Sequence, residues 1–278
     1  MITEVFASIL NQAMFFIGNI FIIGFVISLL CRLFYMVIGG GLSGRIVCYA
    51  TGIIGTPIHE LSHALMCIVF GHKVVDMNIY NIDVASGTLG YVSHEYNPRN
   101  PYHILGNYFI GIAPVLMNTA VIYLLFRLLL PDTYEAVALS LDTLAARGDG
   151  VFTGEFYRGV LESLREIGDA LIHHTEEPWR FWVFAILILS TALHMNLSGS
   201  DIVSALSSLP ILVALMLAVN AVVAFFGAEA YNSFTSYAHV GGVYILFALI
   251  FSVALSSVCI VIGIVIRLLS SIIMRFNE

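Results

Sequence analysis

Residues 55–72 read Gly55-Thr-Pro-Ile-His-Glu-Leu-Ser-His-Ala-Leu-Met-Cys-Ile-Val-Phe-Gly-His72, and within them lies the pattern His59-Glu60-x-x-His63. Residues four apart lie on one face of a helix, one turn apart, so the two imidazoles can bind one zinc ion. The glutamate between them can act as a general base toward water at the metal. Apart from Glu60, residues 46–71 contain no Asp, Glu, Lys or Arg, and most of them are apolar. The pattern therefore predicts a metal-hydrolase helix placed inside a membrane.

The composition of the 278 residues indicates an integral membrane protein. Hydrophobic residues make up 59% of the chain and charged residues 10%, with a mean hydropathy of +0.95. Soluble domains carry about 25% charged residues. Largely apolar stretches recur at lengths near or above the ~20 residues that span a bilayer as a helix. They cover residues 5–31, 46–71, 104–130, a segment that follows Trp182, 208–227 and 241–266.

These stretches predict an all-α polytopic membrane protein with about six transmembrane helices. We expect one membrane-embedded domain over residues 1–278. Residues 1–130 hold the first three spans, residues 131–178 a polar loop, and residues 179–278 the last three spans. Residues 228–239, before the last span, predict a loop. The expected location is a bacterial cell membrane, with the lipid bilayer as an obligatory partner.

Residues 74–92 differ from the spans around them and predict a short β-hairpin after the second transmembrane helix. Residues 74–83 partly alternate apolar with polar side chains, Ser86-Gly87 supplies a turn, and residues 88–92 suit the second strand. Residues 93–101 are rich in turn formers and predict a loop. A hairpin edge beside a protease centre can hold an extended substrate as an added strand, although the same pattern also suits a plain connection.

Residues 131–178 are the one long polar segment and predict an amphipathic helical loop between the third and fourth spans. The segment holds ten acidic residues and three arginines, which equals the net charge of −7 of the whole chain. Such a charge does not suggest a nucleic-acid partner. The helix would lie on the membrane or on the helical bundle. Apolar residues recur at helical spacing: Phe156, Val160, Leu164, Ile167 and Leu171, after a shorter series of Val137, Leu141 and Leu144.

A catalytic zinc site usually has three protein ligands, and the two histidines supply only two. Asp201 is the first candidate for the third ligand. It follows a cluster of polar residues and Gly199 that can unwind a helix within apolar surroundings. Alternatively, Asp201 caps the following helix. Lower candidates are, in order, His194, Glu95 and Asp83. Cys67 shares the histidine face, but three ligands at four-residue intervals on one straight helix cannot converge on a tetrahedral metal.

Three further residues are candidates for substrate contact: Asn118, Asn196 and His194. Asn118 ends the motif Gly111-Ile-Ala-Pro114-Val-Leu-Met-Asn118, in which a proline and an asparagine lie within a span. Both are costly there unless a neighbour or a substrate satisfies the freed polar groups. Asn118 could equally join helices. Asn196 and its polar neighbours could line a path for water.

These features together resemble the site-2 protease family of intramembrane zinc metalloproteases. The resemblance rests on the His59–His63 motif in a span, the following hairpin, the motif that ends at Asn118, and the distant Asp201, so it covers residues 46–120 and 190–203. It implies a core of about six spans and zinc held by His59, His63 and Asp201, with Glu60 as the base. The chain departs from the family pattern where Gly-Ser-Asp201-Ile replaces Leu-Asp-Gly.

The predicted function is therefore hydrolysis of peptide bonds in membrane-spanning or membrane-associated proteins, with Zn²⁺ as cofactor and Glu60 as catalytic residue. Two alternatives stay open on the sequence alone. One is a membrane zinc hydrolase with a non-peptide substrate, and the other is a metal transporter or receptor without enzymatic activity. A transporter should carry more carboxylates along a path through the membrane. The sequence leaves the oligomeric state and the substrate open.

Overall fold

The computed structural model describes residues 2–39, 41–81, 89–173 and 177–276. In these ranges the chain forms helices and one two-stranded sheet, and a π-helical stretch, Met14–Gly18, joins the first two α-helices. The helices and strands are, in chain order, α1 Ile2–Ala13, α2 Asn19–Ile38, α3 Leu42–Val69, β1 Lys73–Asn78, β2 Tyr91–Glu95, α4 Pro101–Leu129, α5 Pro131–Ala146, α6 Gly154–His173, α7 Pro178–Leu193, α8 Gly199–Ser207, α9 Leu209–Phe225 and α10 Ala228–Phe276.

Several helices are consistent with a multi-pass membrane protein. α8 and α9, bent by 49° where they meet, could together form a fifth crossing. α7 has 16 residues, which is about 24 Å of helix against a hydrocarbon layer of ~30 Å. The predicted count of six is therefore not confirmed. Within the described part of the chain, four helical segments are long and apolar enough to cross alone: Glu4–Ile38, Gly44–Val69, Pro101–Leu129 and Ala228–Leu269.

The predicted helix break before Asp201 lies between α7 and α8, where residues 194–198 leave the helical path. Ser198 is the N-cap of α8, and its hydroxyl accepts a hydrogen bond from the Asp201 backbone N–H. In return, the Asp201 carboxylate accepts from the Ser198 N–H at 2.7 Å. This capping box satisfies two backbone donors that would otherwise lack partners in apolar surroundings.

Both helices predicted in the acidic segment are confirmed, as α5 and α6. Val137, Leu141 and Phe156 are fully buried. They share one core cluster with side chains of α4, α7, α10 and the π-helical stretch. The acidic residues Glu135 and Glu162 are exposed on the other faces. The α5–α6 pair thus lies on the helical bundle, which is one of the two placements that the sequence allowed.

The prediction of a loop at residues 228–239 is wrong, because α10 begins at Ala228. The polar residues of this segment recur at helical spacing and form one face of the helix. That face lines a cavity of about 330 Å³ against residues of α1. The polar residues of this face are Asn232, Thr235, Ser236 and His239.

The predicted hairpin is confirmed as an antiparallel pair of β1 and β2, with Val74 opposite His94 and an irregularity after Val74. Both strands differ from the prediction in their bounds: β1 runs from Lys73 to Asn78 and not over 74–83, and β2 runs from Tyr91 to Glu95 and not over 88–92. His94 and Glu95 therefore lie on a strand and not in the expected loop, since pairing with β1 extends the strand beyond its last apolar residue. The predicted turn, Ser86-Gly87, lies outside the described residues.

A chain of histidines fixes the base of the hairpin. His72 is only 5% exposed, and its Nε2 lies 2.8 Å from the His103 carbonyl oxygen. A carbonyl only accepts, so His72 Nε2 carries the proton and Nδ1 is a bare acceptor. His94 Nδ1 lies 3.1 Å from that atom and must donate to it. Burial lowers the pKa of both His72 and His94 below the ordinary value of 6.5.

We predict that protonation of His72 destabilises the fold. Because its pKa is lower in the folded than in the unfolded protein, this stability is fully present above pH 6.5 and decreases as the pH falls below that value. In His72→Gln the carboxamide can still donate to the His103 carbonyl but cannot gain a charge. The thermal unfolding midpoint in detergent should therefore fall less steeply in the variant than in the wild type between pH 6.5 and about pH 5.

The comparison at pH 8, where neither protein carries a charge at residue 72, corrects for any constant effect of the substitution. Equal slopes below pH 6.5 in the two proteins would contradict this role of His72.

Candidate metal centre

α3 brings two imidazoles together, and α8 adds a carboxylate. The Nε2 atoms of His59 and His63, one turn apart, lie 3.2 Å from each other. Asp201 Oδ1 is 3.5 Å from His63 Nε2, and Asp201 Oδ2 is 4.0 Å from His59 Nε2. One ligand atom from each residue lies within 4.8 Å of the others, so the group could hold a metal ion. The structure thus brings together the two motif histidines and the first candidate for the third ligand.

Two backbone carbonyls orient the imidazoles. His59 Nδ1 lies 2.8 Å from the His194 carbonyl oxygen, and His63 Nδ1 lies 2.8 Å from the Ile110 carbonyl oxygen. Since carbonyls only accept, both Nδ1 atoms carry protons and both neutral rings present bare Nε2 atoms. Two lone pairs therefore face each other, next to a carboxylate. A cation between them is the natural partner for such a set, and this use of Nδ1 is usual in metal-binding histidines.

Both carbonyls are available because neither has a helical N–H partner. Ile110 precedes Pro114 by four residues in α4, and proline has no N–H to donate to that carbonyl. His194 follows the last residue of α7, and residues 195–198 are not helical. The sequence predicted that a neighbour or a substrate would satisfy the group freed by Pro114. The structure identifies His63 as that neighbour.

Asp201 is both a capping residue and a candidate ligand. Its carboxylate accepts from the Ser198 N–H through Oδ2 and approaches His63 with Oδ1. The two interpretations of the sequence are therefore compatible, although the N-cap itself is Ser198. Gly111 allows α8 to come this close, because a Cβ there would lie 2.9 Å from Ala205 Cβ and against the Asp201 carbonyl.

The other candidate ligands do not join this group. The His194 side chain uses Nδ1 to bond the Ser190 carbonyl at 2.9 Å, so the residue serves His59 through its backbone and not through its ring. Glu95 is exposed on β2, and Cys67 is fully buried outside the group. Asp83 lies outside the described residues.

The two asparagines have different surroundings. Asn118 is fully buried in α4, and its amide donates to the Pro114 carbonyl at 2.7 Å. Asn196 lines a cavity of about 310 Å³ that also reaches His59 and Glu60. A substrate contact by either residue stays a prediction.

Glu60 lies between two cavities. It is 8% exposed and lines both the cavity that contains Asn196 and a second one of about 360 Å³. We call the second the hairpin cavity; among its lining residues are His59, Glu60, His63, Val92, His94 and Asp201. Gly90 lines both cavities and packs closely on Glu60, because a Cβ at this position would lie 2.8 Å from Glu60 Cγ. Sequence reasoning missed Gly90 and the two carbonyls, and only the Pro114 spacing could have indicated one of them.

Comparison of the chain with protein-family models, with curated proteins and with solved structures finds no match. The geometry of the site is therefore the basis on which a function can be assigned to this chain.

We predict that Pro114→Ala weakens metal binding. An alanine N–H at this position can donate to the Ile110 carbonyl and compete with His63 Nδ1–H. The zinc dissociation constant should rise by roughly 10-fold, at the low end of the usual effect of such outer partners, because a carbonyl can accept two bonds. The dissociation constant is measured by competition with a chromophoric zinc chelator.

Pro210→Ala is the matched control for Pro114→Ala. Pro210 lies in the first turn of α9, where a backbone N–H has no helical partner, so this variant should bind zinc as the wild type does. An unchanged dissociation constant in Pro114→Ala would contradict the role of the freed carbonyl.

Proposed function

We propose that this protein is an intramembrane zinc metalloprotease of the site-2 protease type, which hydrolyses peptide bonds of membrane-spanning or membrane-associated proteins. The observation that carries the proposal is the position of Glu60. Its side chain lines the same cavity as His59, His63 and Asp201, and one wall of that cavity is the strand β2.

The ligand set fits zinc. Two imidazole nitrogens and one carboxylate oxygen are a usual protein contribution to a catalytic zinc site, with one position left open. Ligands of a tetrahedral zinc at 2.0–2.1 Å lie about 3.3 Å from one another. The two Nε2 atoms are 3.2 Å apart and His63 Nε2 is 3.5 Å from Asp201 Oδ1, both close to that value. His59 Nε2 is 4.0 Å from the other oxygen of Asp201, Oδ2. When bound, zinc supplies a Lewis acid that activates water and polarises a carbonyl group.

Glu60 handles the proton in this proposal. Its carboxylate follows His59 directly in α3 and lies nine-tenths buried between two cavities that could contain water and substrate. As general base it takes a proton from the attacking water, and it then gives that proton to the amine of the leaving peptide. The other residues orient the reaction: two carbonyls hold the imidazoles, and Ser198 holds Asp201.

The hairpin supports a peptide as the substrate. In the described part of the chain β2 pairs only with β1, so its other edge can accept an added strand. Tyr91, Val92 and His94 line the hairpin cavity. A substrate strand beside them would bring its backbone carbonyls next to Glu60. Main-chain pairing of this kind requires an extended peptide, so a helical substrate must unwind locally before cleavage.

The depth of the site supports cleavage inside the bilayer. In the span Gly44–Val69, His59 lies about 22 Å from one end and about 15 Å from the other, at 1.5 Å per residue. Within the described ranges, His59, His63 and Asp201 are the one group of potential ligands close enough together to hold a metal ion. This favours a single catalytic centre over a series of transport sites.

We predict that Glu60→Gln abolishes cleavage and retains zinc, because the carboxamide cannot accept the proton and is not a ligand. The loss should be on the order of 10²–10⁴-fold. The protein is co-expressed with a pool of tagged single-span membrane proteins, and new termini are identified by mass spectrometry. Zinc content is measured on the same preparations.

Glu229→Gln is the control, since Glu229 lies in the first turn of α10 and lines neither cavity beside Glu60. New termini should appear with the wild type and with this control. Formation of the same termini at the wild-type rate in Glu60→Gln would show that Glu60 is not the general base.

A further inference from the structure

His94 faces the candidate active site and is not among its metal ligands. On β2, Val92 and His94 are half-buried, whereas Tyr91, Ser93 and Glu95 are exposed. Val92 and His94 both line the hairpin cavity with Glu60 and Asp201. The His94 ring therefore belongs to the wall along which a substrate strand would lie.

The histidine chain determines which nitrogen of His94 is bare. The His103 carbonyl requires a proton on His72 Nε2, and the bare His72 Nδ1 requires a proton on His94 Nδ1. Neutral His94 therefore has a bare Nε2, and the hydrogen bond of this ring within the described ranges is the one that its Nδ1 makes with His72. Burial favours the neutral form, since it lowers the pKa of His94. The cavity thus contains a fixed acceptor.

The charge of the cavity selects among the donors that could meet this acceptor. Among the described residues that line it, Glu60 and Asp201 are the two carboxylates, and none is a lysine or arginine. A bound zinc ion would cancel these two charges, so no net charge is left to hold a buried ammonium or carboxylate. An uncharged hydroxyl or carboxamide is the donor that the cavity can accommodate at least cost.

We infer that His94 is a specificity residue that accepts a hydrogen bond through Nε2 from an uncharged hydroxyl or carboxamide side chain of the substrate. That side chain belongs to the substrate residue opposite His94, since cross-strand neighbours on one face have Cβ atoms about 4.5–5.5 Å apart. His72 acts as a positioning residue, because it holds the His94 proton on Nδ1. The inference rests on the proposed protease function.

The test uses short peptide hydroxamates, in which the hydroxamate binds the zinc and the peptide extends along the cavity. Matched pairs carry Asn or Leu, which have similar shapes, at each of the three positions before the hydroxamate. Their dissociation constants for the zinc-loaded protein are measured in detergent by calorimetry. At one position the Asn compound should bind about 10-fold more tightly than the Leu compound, as expected for a buried hydrogen bond to a preformed acceptor.

Two variants assign that preference to His94. His94→Phe keeps a ring and removes the acceptor, so the ratio between the two compounds should fall to near one. His72→Leu removes the partner of His94 Nδ1 and should lower the ratio as well. If His94→Phe does not fold, which its zinc content would reveal, the His72→Leu variant still tests the inference. His239→Phe is the matched control, because His239 lies in α10 and lines a different cavity.

Equal binding of all pairs to the wild type would overturn the inference, as would an unchanged preference in His94→Phe. In either case, Glu60-dependent cleavage would leave the protease proposal standing. Failure of every hydroxamate to bind the zinc-loaded protein would overturn both.

Discussion

Two hydrogen bonds from imidazole to backbone carbonyl hold the candidate metal centre together. Each joins an Nδ1–H on α3 to a carbonyl that a helix does not use, one freed by Pro114 and the other by the end of α7. In an apolar bundle an unused carbonyl is costly, and so is an imidazole without a partner. Pairing them removes both costs and leaves two Nε2 atoms directed at one point. The two carbonyls that lack helical partners are thus part of the site.

Close packing around this point depends on glycine. A Cβ at Gly55 would lie 2.5 Å from the His194 ring and from the Ser190 carbonyl, so α7 can approach α3 only where no side chain intervenes. Gly111 does the same for α4 and α8, and Gly90 does so for the hairpin and Glu60. In a membrane, helices associate through such small residues and through polar contacts, because lipid tails are as apolar as the side chains themselves. The glycines therefore determine how near His194, Asp201 and β2 come to the motif on α3.

The sequence predicted the parts of the structure that depend on local pattern. Periodicity identified α5 and α6, alternation identified the hairpin, and the spacing of His59 and His63 identified the face of α3 that could hold a metal ion. Asp201 was a prediction from its setting, an isolated carboxylate beside a helix break. Contacts between distant segments could not be predicted in this way. The register in which β2 pairs with β1, which places His94 on a strand, depends on tertiary neighbours. By contrast, the polar residues at 228–239 do recur at helical spacing, a local pattern that indicates the helix. The roles of the Ile110 and His194 carbonyls also depend on contacts between distant segments. Every residue has a backbone carbonyl, so the residue type at positions 110 and 194 does not reveal these contacts.

The zinc content of purified protein in detergent, measured by mass spectrometry for the wild type, Asp201→Ala and His194→Ala, tests the proposed metal centre. We expect one zinc ion per chain in the wild type, as a single three-ligand site requires. Asp201→Ala should lose the zinc and His194→Ala should retain it, because residue 194 acts through its carbonyl and not through its ring. Zinc retained in Asp201→Ala and lost in His194→Ala, or a wild type that binds none after reconstitution, would rule out this centre.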